Sequence, residues 1–324
     1  MIGRIVANLE IVELLGLGGA GEVYRALDLS QQREVALKIL SERAEPDTVM
    51  RFVREAQALA MLRHPHIVAV YGSGVDQGLR YIVMELMLGG TLRELIARGP
   101  LPWRTAVTVA RQIACALGHA HAHGVVHRDV KPGNVMFDTE GNTKLTDFGL
   151  AHLSEASAMT RTGTVMGTVF YLSPEQAVGR PIDARSDLYA LGAVLFEMVT
   201  GQPPFPGPTA VSIIYKHLNE QPPRLHHADA ALPPALDATV QRLLEKDPDR
   251  RFQSAEELVS ALDRLLRGEV DASAAVPLDA SSEDADPGAL PLVGRDAERT
   301  SLIEALDQAV SGAGRTVIVA GEAG

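Results

Sequence analysis

The chain has one cysteine, Cys115, among its 324 residues. No disulfide can form within it, and the thiol, set in an apolar helical pattern, reads as buried and structural. Long hydrophobic runs are missing too. The longest, Ala190 to Phe196, falls far short of the roughly twenty residues that span a bilayer. The opening MIGRIVANLEIVELLG is broken by Arg4, Glu10 and Glu13, so it lacks the apolar core of a signal peptide. Nor is there a basic excess. Net charge is −11, residues 268–324 carry −8 of it, and the remainder is close to neutral, with no footprint for nucleic acid. These absences point to a cytoplasmic protein, with no membrane segment in this chain and no nucleic-acid partner. With 46% hydrophobic and 22% charged residues, the composition is that of a globular chain with room for one large or two ordinary domains.

The most informative stretch runs from Val126 to Leu150, VHRDVKPGNVMFDTEGNTKLTDFGL. His-Arg-Asp ending at Asp129 and Asp-Phe-Gly starting at Asp147 are weak signals singly. Lys131 and Asn134 follow Asp129 in fixed order, and an alternating strand, Thr143 to Thr146, separates the two tripeptides. Chance explains that set poorly. The stretch resembles the catalytic loop and metal-binding segment of the protein kinases in their Ser/Thr form. Phosphoryl transfer asks for positioning and charge neutralisation more than for covalent chemistry. The resemblance implies that Asp129 accepts or orients the hydroxyl proton of the acceptor and that Lys131 places a cation near the γ-phosphate. It gives Asn134 and Asp147 as hard oxygen ligands for Mg²⁺, with Mn²⁺ as an alternative.

Upstream, Leu15 to Tyr24 reads LGLGGAGEVY, placing Gly16, Gly18 and Gly21 as G-x-G-x-x-G. Dinucleotide-binding folds share that spacing, but their glycine turn opens a helix. Here Glu22–Leu27 and Glu34–Leu40 read as hairpin strands, whose period of two puts Ala36 and Lys38 on one face and Val35, Leu37 and Ile39 on the other. The match is to a kinase glycine-rich loop and its VALK lysine. Residues 51–63 repeat apolar positions at helical spacing with Glu55 on the inward stripe. A surface pairing is the generic expectation for that glutamate; the resemblance implies a Lys38–Glu55 ion pair. Ile67–Tyr71 and Tyr81–Met84 read as further strands. By matching to the family, ATP would meet Leu15, Gly16, Gly18, Gly21, Val23, Ala36, Lys38, Met84 as gatekeeper, the hinge Glu85 to Met87, and Met136 beneath the base. Leu59, Val70, His127 and Phe148 would form an internal apolar column based on Asp187.

From Thr91 onward the pattern turns helical, most clearly over Thr105 to His121. His119 and His123 stand four apart, as a metal pair can, but no third ligand has suitable spacing. Residues 147–175 end in Ser-Pro-Glu where the family usually has Ala-Pro-Glu, a common bacterial variant. This segment is rich in Ser and Thr, a composition that also suits any mobile polar loop. Arg128, before Asp129, implies docking of a phosphorylated loop residue, and Thr160 and Thr162 occupy the positions of the activating sites. Thr168 is expected on the substrate side, near Asp129 and Lys131. Ser186 to Gly192 opens a buried central helix, Glu175 is expected to pair with Arg251, and 255–266 closes the domain.

The fold expected is α+β, a two-lobe protein kinase over residues 8–267, in the bacterial eukaryotic-like, Hanks-type class. Residues 268–291 read as a flexible acidic linker. Residues 292–324 hold an amphipathic helical pattern and a strand running into GEAG, which looks like the opening of an AAA- or STAND-type P-loop ATPase domain, with a helix–strand appendage as the plainer alternative. The expected activity is ATP-dependent phosphorylation of protein Ser and Thr hydroxyls, regulated by loop autophosphorylation, for which a homodimer would serve in trans, at the front of a larger kinase–ATPase regulator. A pseudokinase scaffold that binds ATP without turnover is the alternative; its usual sign is loss of the lysine or of either aspartate, and Lys38, Asp129 and Asp147 are all present. Small-molecule kinases of this fold generally lack the Ser-Pro-Glu segment and the Lys131 placement.

Overall fold

The computed structural model describes residues 1–18, 21–40, 49, 52, 56, 60–148, 169–225 and 232–269. Glu55, Leu59, Thr160, Thr162, Thr168 and everything expected of residues 270–324 lie outside them. All the described residues belong to one unit, Met1–Ala274.

The first lobe is a six-stranded sheet, built from β1 (Ile5–Val6), β2 (Leu9–Gly18), β3 (Gly21–Asp28), β4 (Arg33–Leu40), β5 (Val70–Asp76) and β6 (Leu79–Met84) in the order β1-β2-β3-β4-β6-β5. Neighbouring strands are antiparallel throughout. β4 is central, and the period-two reading is realised on it. Val35, Leu37 and Ile39 join Val6, Leu9, Ile11, Tyr24 and Ala26 on one face. Ala36 and Leu40 join Phe52, Ala56, Ile82, Met84 and Met87 on the other. Gly21 stands where β3 presses on β4: a β-carbon there would lie 2.1 Å from the Ile39 carbonyl oxygen, at a φ of 151°.

The strand expected at Ile67 begins instead at Val70. The backbone of 66–68 does make extended pairings, but with the other lobe. Val68 N–H donates to Leu145 O (3.0 Å) and Leu145 N–H to His66 O (2.9 Å). The apolar alternation there is real; its partner lies far along the chain.

The second lobe contains α1 (Leu92–Ile96), α2 (Trp103–Ala122), the hairpin β7 (Val135–Phe137) and β8 (Thr143–Leu145), α3 (Pro174–Ala177), α4 (Ala184–Thr200), α5 (Ala210–Asn219), α6 (Pro234–Leu243) and α7 (Ala255–Arg267). Sequence chemistry fixes the helix ends. Thr91 and Glu94 form a capping box on α1, Ser173 and Gln176 one on α3, and Thr209 and Ser212 one on α5. Such a cap is worth about 1 kcal/mol. Asp183 caps α4, which Gly201 closes in the left-handed conformation. α4 is buried along nearly its whole length, so it is apolar on all sides rather than amphipathic. At Gly192 it meets α6 so closely that a β-carbon would lie 2.6 Å from that of Leu243. Ile113, Leu117, Leu191, Leu195, Val240 and Leu262, all fully buried, bind α2, α4, α6 and α7 into one core. Among the described residues no helix is long and apolar enough to cross a membrane.

Candidate active site

The loop after α2 is held from below by one carboxylate. Asp187, in the first turn of α4 and 1% exposed, accepts the N–H groups of His127 (2.8 Å, Oδ2) and Arg128 (2.7 Å, Oδ1). His121 Nε2 lies 2.8 Å from the same Oδ2. Pinned there, the backbone turns through a left-handed Arg128, φ 69°. A β-bearing residue adopts that conformation only when its surroundings over-determine it. His127 is fully buried, its ring 4.4 Å from that of Phe148. Its Nδ1 accepts from Asp129 N–H (3.2 Å), so its Nε2 carries the proton toward Thr146 O (3.0 Å). Burial pushes its pKa below the ordinary histidine value despite Asp187 and Asp129 nearby. His127 is a neutral packing residue, as the sequence suggested.

Three side chains converge beyond it. Lys131 Nζ donates to Asp129 Oδ2 at 2.6 Å. Asn134 Nδ2 donates to Asp129 O (2.9 Å) and Oδ2 (3.0 Å). Thr146 N–H donates to Asn134 O (2.9 Å), tying this loop to β8 and hence to Asp147. Asp129 Oδ1 is buried with no hydrogen-bond partner among the described residues, an orphaned acceptor at the centre of the group. Asp147 has a positive φ of 52°, and its Oδ1 accepts from Lys38 Nζ at 2.8 Å. That contact joins the two lobes. Lys38 is 8% exposed, beside Val23 on β3 and Ile82 on β6. Its expected pairing with Glu55 lies outside the described residues.

The residues proposed around the adenine also come together. Ala36, Met84 and Met87 share one buried cluster, against which Val23, Val70 and Met136 pack. Ala36 faces Met84 across the strand pair. Gly16 is paired with Val23 and Gly18 with Gly21 at the end of the β2–β3 hairpin, and Leu15 beside them is exposed. Glu85 N–H donates to Ala69 O (2.8 Å), while its carboxylate is 2.9 Å from Lys144 Nζ. Gly89 N–H and Phe137 N–H close the far end by bonding Phe137 O and Gly90 O.

The donor set suits a divalent cation. Asn134, its amide nitrogen engaged by Asp129, presents its oxygen as the ligating group, and Asp147 offers a half-exposed carboxylate. One carboxylate and one amide oxygen fit Mg²⁺, which completes its shell with phosphates and waters, and do not fit a zinc cage. No group of three His, Cys, Asp or Glu able to hold a metal exists among the described residues. His119 and His123, the histidine pair noted in the sequence, have tilted rings 4.5 Å apart, and His64 stacks on His119 at 5.2 Å.

The protein kinase domain model matches residues 9–261. The chain belongs to the protein kinase domain family. Within it, the kinase domain is of the bacterial Ser/Thr, Hanks type. It is 43% identical over 307 residues to the serine/threonine-protein kinase PknB of Mycolicibacterium smegmatis, covering 91% of this chain and 46% of that protein. It is 43% identical over 258 residues to PrkC of Bacillus subtilis, covering 79% of this chain and 40% of that one. The chain thus spans less than half the length of these curated relatives. The crystal structure of the Mycobacterium tuberculosis PknI kinase domain matches with a TM-score of 0.64 at 30% identity, over 82% of this chain and 98% of that one.

Sequence reading missed several pairings that shape the kinase site. Tyr171 Oη donates to Glu197 Oε2 (2.6 Å), Gln176 Nε2 donates to Arg128 O (2.9 Å), and Lys144 pairs with Glu85. Each joins residues far apart in sequence, and no local periodicity encodes them.

Proposed function

We propose that this chain transfers the γ-phosphoryl group of ATP to Ser or Thr hydroxyls of proteins. The observation that carries the proposal is the junction of two charged groups. Asp129 is held by Lys131 and Asn134, and Asp147 is held by Lys38 from the opposite lobe. Asp129 is the residue to take the acceptor's proton: its unpartnered Oδ1 is the atom available to a hydroxyl. Lys131 fixes that carboxylate and offers a cation to the phosphoryl oxygens. Lys38 orients Asp147 and reaches the α- and β-phosphates, and Ala36, Met84, Met87, Val23 and Met136 form the apolar slot for the base. Asn134 and Asp147 are the residues that would hold Mg²⁺, with Mn²⁺ as a substitute. When bound, that ion supplies neutralisation of phosphate charge.

Regulation is part of the same proposal. Arg128 has a buried Nε without a partner among the described residues. Phosphate on Thr160 or Thr162 would satisfy it and order the segment before Val169, with Thr168 beside the acceptor. Phosphorylation between two copies would install it. A cytoplasmic setting for the kinase domain, and a reading of residues 292–324 as the start of a P-loop ATPase domain behind an acidic linker, belong to the proposal and rest on sequence pattern alone.

The test compares wild type with Asp129→Asn, each incubated with Mg²⁺ and ATP and mapped by mass spectrometry. Phosphate on Thr160 or Thr162 in wild type alone supports transfer and loop activation together. Phosphate elsewhere, with those two bare, keeps the transfer and removes the activation. ATP binding with no phosphate on the protein or on a generic acceptor points to the scaffold.

A further inference from the structure

Most arginines of the helical lobe are tied to carboxylates: Arg111 to Asp263, Arg185 to Asp183 and Asp249, Arg242 to Glu257, Arg251 to Glu175. Arg93, the second residue of α1, is exposed and forms no ion pair among the described residues. Its neighbour Glu94 is engaged elsewhere, accepting the Thr91 N–H at 2.9 Å in the capping box.

The position of Arg93 is specific. Its guanidinium lies across Gly133: a β-carbon built on that glycine would meet Nε and Nη2, each at 3.5 Å. Gly133 sits in the short turn Pro132–Asn134, between the Lys131 that holds Asp129 and the Asn134 that holds it from the other side. On a second side the charge of Arg93 reaches Tyr171 and Glu197, favouring the ionised form of each. Tyr171 belongs to the turn Val169–Tyr171, just ahead of Ser173-Pro174-Glu175. Arg93 therefore borders the loop that carries Asp129 and lies within electrostatic reach of Tyr171 and Glu197.

A peptide that delivers a hydroxyl to Asp129 would come close to this guanidinium, which covers Gly133 four residues on in the same loop. Glu197 would be the natural attraction for a basic residue of that peptide, but it is mostly buried, hydrogen-bonded by Tyr171 and already served by the field of Arg93. A basic side chain arriving there meets a like charge. An anionic one meets a planar fork of donors suited to bidentate pairing. Repulsion of one class and attraction of the other together make specificity.

We propose that Arg93 is a specificity-determining residue that selects protein substrates with an anionic side chain, a carboxylate or a phosphomonoester, close to the acceptor hydroxyl. The inference rests on the kinase reading above and deepens it.

The test uses the full chain and peptides with one Thr in an alanine background, with Asp, phosphoserine or Arg placed singly at each of the four positions on either side. For wild type, kcat/KM for the best Asp or phosphoserine peptide should exceed that of the Arg peptide of the same position by about tenfold or more. The difference should appear in KM, with kcat nearly constant. The Asp and phosphoserine arms tell which anion is preferred. Arg93→Gln should flatten the ratio, Arg93→Glu should invert it, and Arg93→Lys should restore it in part. A purely structural role for Arg93 would lower all peptides alike and would overturn the proposal, as would ratios unchanged in the Glu variant. If wild type phosphorylates neither any peptide nor itself, the kinase reading fails first and takes this role with it.

Discussion

Arg251 and Glu175 face each other as a fork against a carboxylate, Nη1 to Oε1 and Nη2 to Oε2 each at 2.8 Å, with the arginine fully buried. All five guanidinium donors are used. Nε bonds Glu245 O (2.8 Å), Nη1 also bonds Arg185 O (3.1 Å), and Nη2 also bonds Lys246 O (3.0 Å). Ser186 Oγ donates to Glu175 Oε1 at 2.5 Å. Burial alone would raise the Glu175 carboxyl, but Arg251 and Ser186 hold it below its ordinary value. The pair thus ties the start of α3 to the segment before α7 and to the first turn of α4, the helix whose Asp187 supports the catalytic loop.

Removing one partner leaves a buried charge unanswered, which costs about 3–5 kcal/mol. Arg251→Ala and Glu175→Ala should each lower the midpoint of urea unfolding by that equivalent, with the m-value unchanged. The double variant Arg251→Met/Glu175→Leu should recover part of the loss. If both single variants melt with the wild type, the pair contributes little.

How much of this was legible varies with the distance between partners. Alternation within β4 separated Ala36 and Lys38 from Val35, Leu37 and Ile39, and the structure uses both faces that way. The central helix was legible from Ser186 onward by its apolar run, whereas its limits at Asp183 and Gly201 were not read, although both are local cap signals. The β5 boundary was misjudged because Val68 bonds Leu145, a partner the local pattern cannot announce. The Asp129–Lys131–Asn134 group lies within six consecutive residues and was legible as a motif. The Arg93 contact with Gly133 and the Tyr171–Glu197 bond depend on how elements pack, so periodicity could not supply them.

His217 makes stability depend on pH. It is fully buried on α5, its Nδ1 2.8 Å from Tyr189 Oη, its ring against Phe205, and Lys246 Nζ lies 4.1 Å from the centre of that same Phe205 ring. Burial first, and the Lys246 charge second, push its pKa down to about 3. Unfolded histidine titrates near 6.5, so as pH falls from there toward about 3 the unfolded chain binds a proton that the folded one refuses. Stability from this residue is complete above about 6.5 and is lost below it, by about 2 kcal/mol between about pH 7.5 and about pH 5. His64, lowered to about 4 by burial and then by His119, adds in the same direction. His217→Asn should narrow the difference between melts at the two pH values, whatever it does to the absolute stability.

Arg128 should report whether loop phosphate acts through this site. In wild type, phosphatase treatment should lower activity on a Thr peptide, and re-incubation with ATP should restore it. In Arg128→Ala, phosphorylated and dephosphorylated forms should show the same rate, because the orphaned Nε and the rest of the guanidinium are gone. A full response to phosphatase in Arg128→Ala would move the docking site elsewhere.

Asp129 and Lys38 should fail in different ways, and the difference tests how the site divides its work. Asp129 is hydrogen-bonded by Lys131 and Asn134, and its role in the proposal is toward the acceptor and not the base, so Asp129→Asn should leave nucleotide affinity within about twofold. Loss of a proton acceptor removes about 10²–10⁴-fold in rate, so kcat should fall by that factor. Lys38, between Val23 and Ile82 and bonded to Asp147, joins the proposed nucleotide slot to the carboxylate proposed to hold the metal. Lys38→Met should therefore weaken nucleotide binding and remove turnover together. Titration with a fluorescent ATP analogue separates the two, read beside single-turnover transfer to a Thr peptide. Equal loss of binding in both variants would mean that Asp129 shapes the nucleotide site as a whole and does not act at the acceptor hydroxyl.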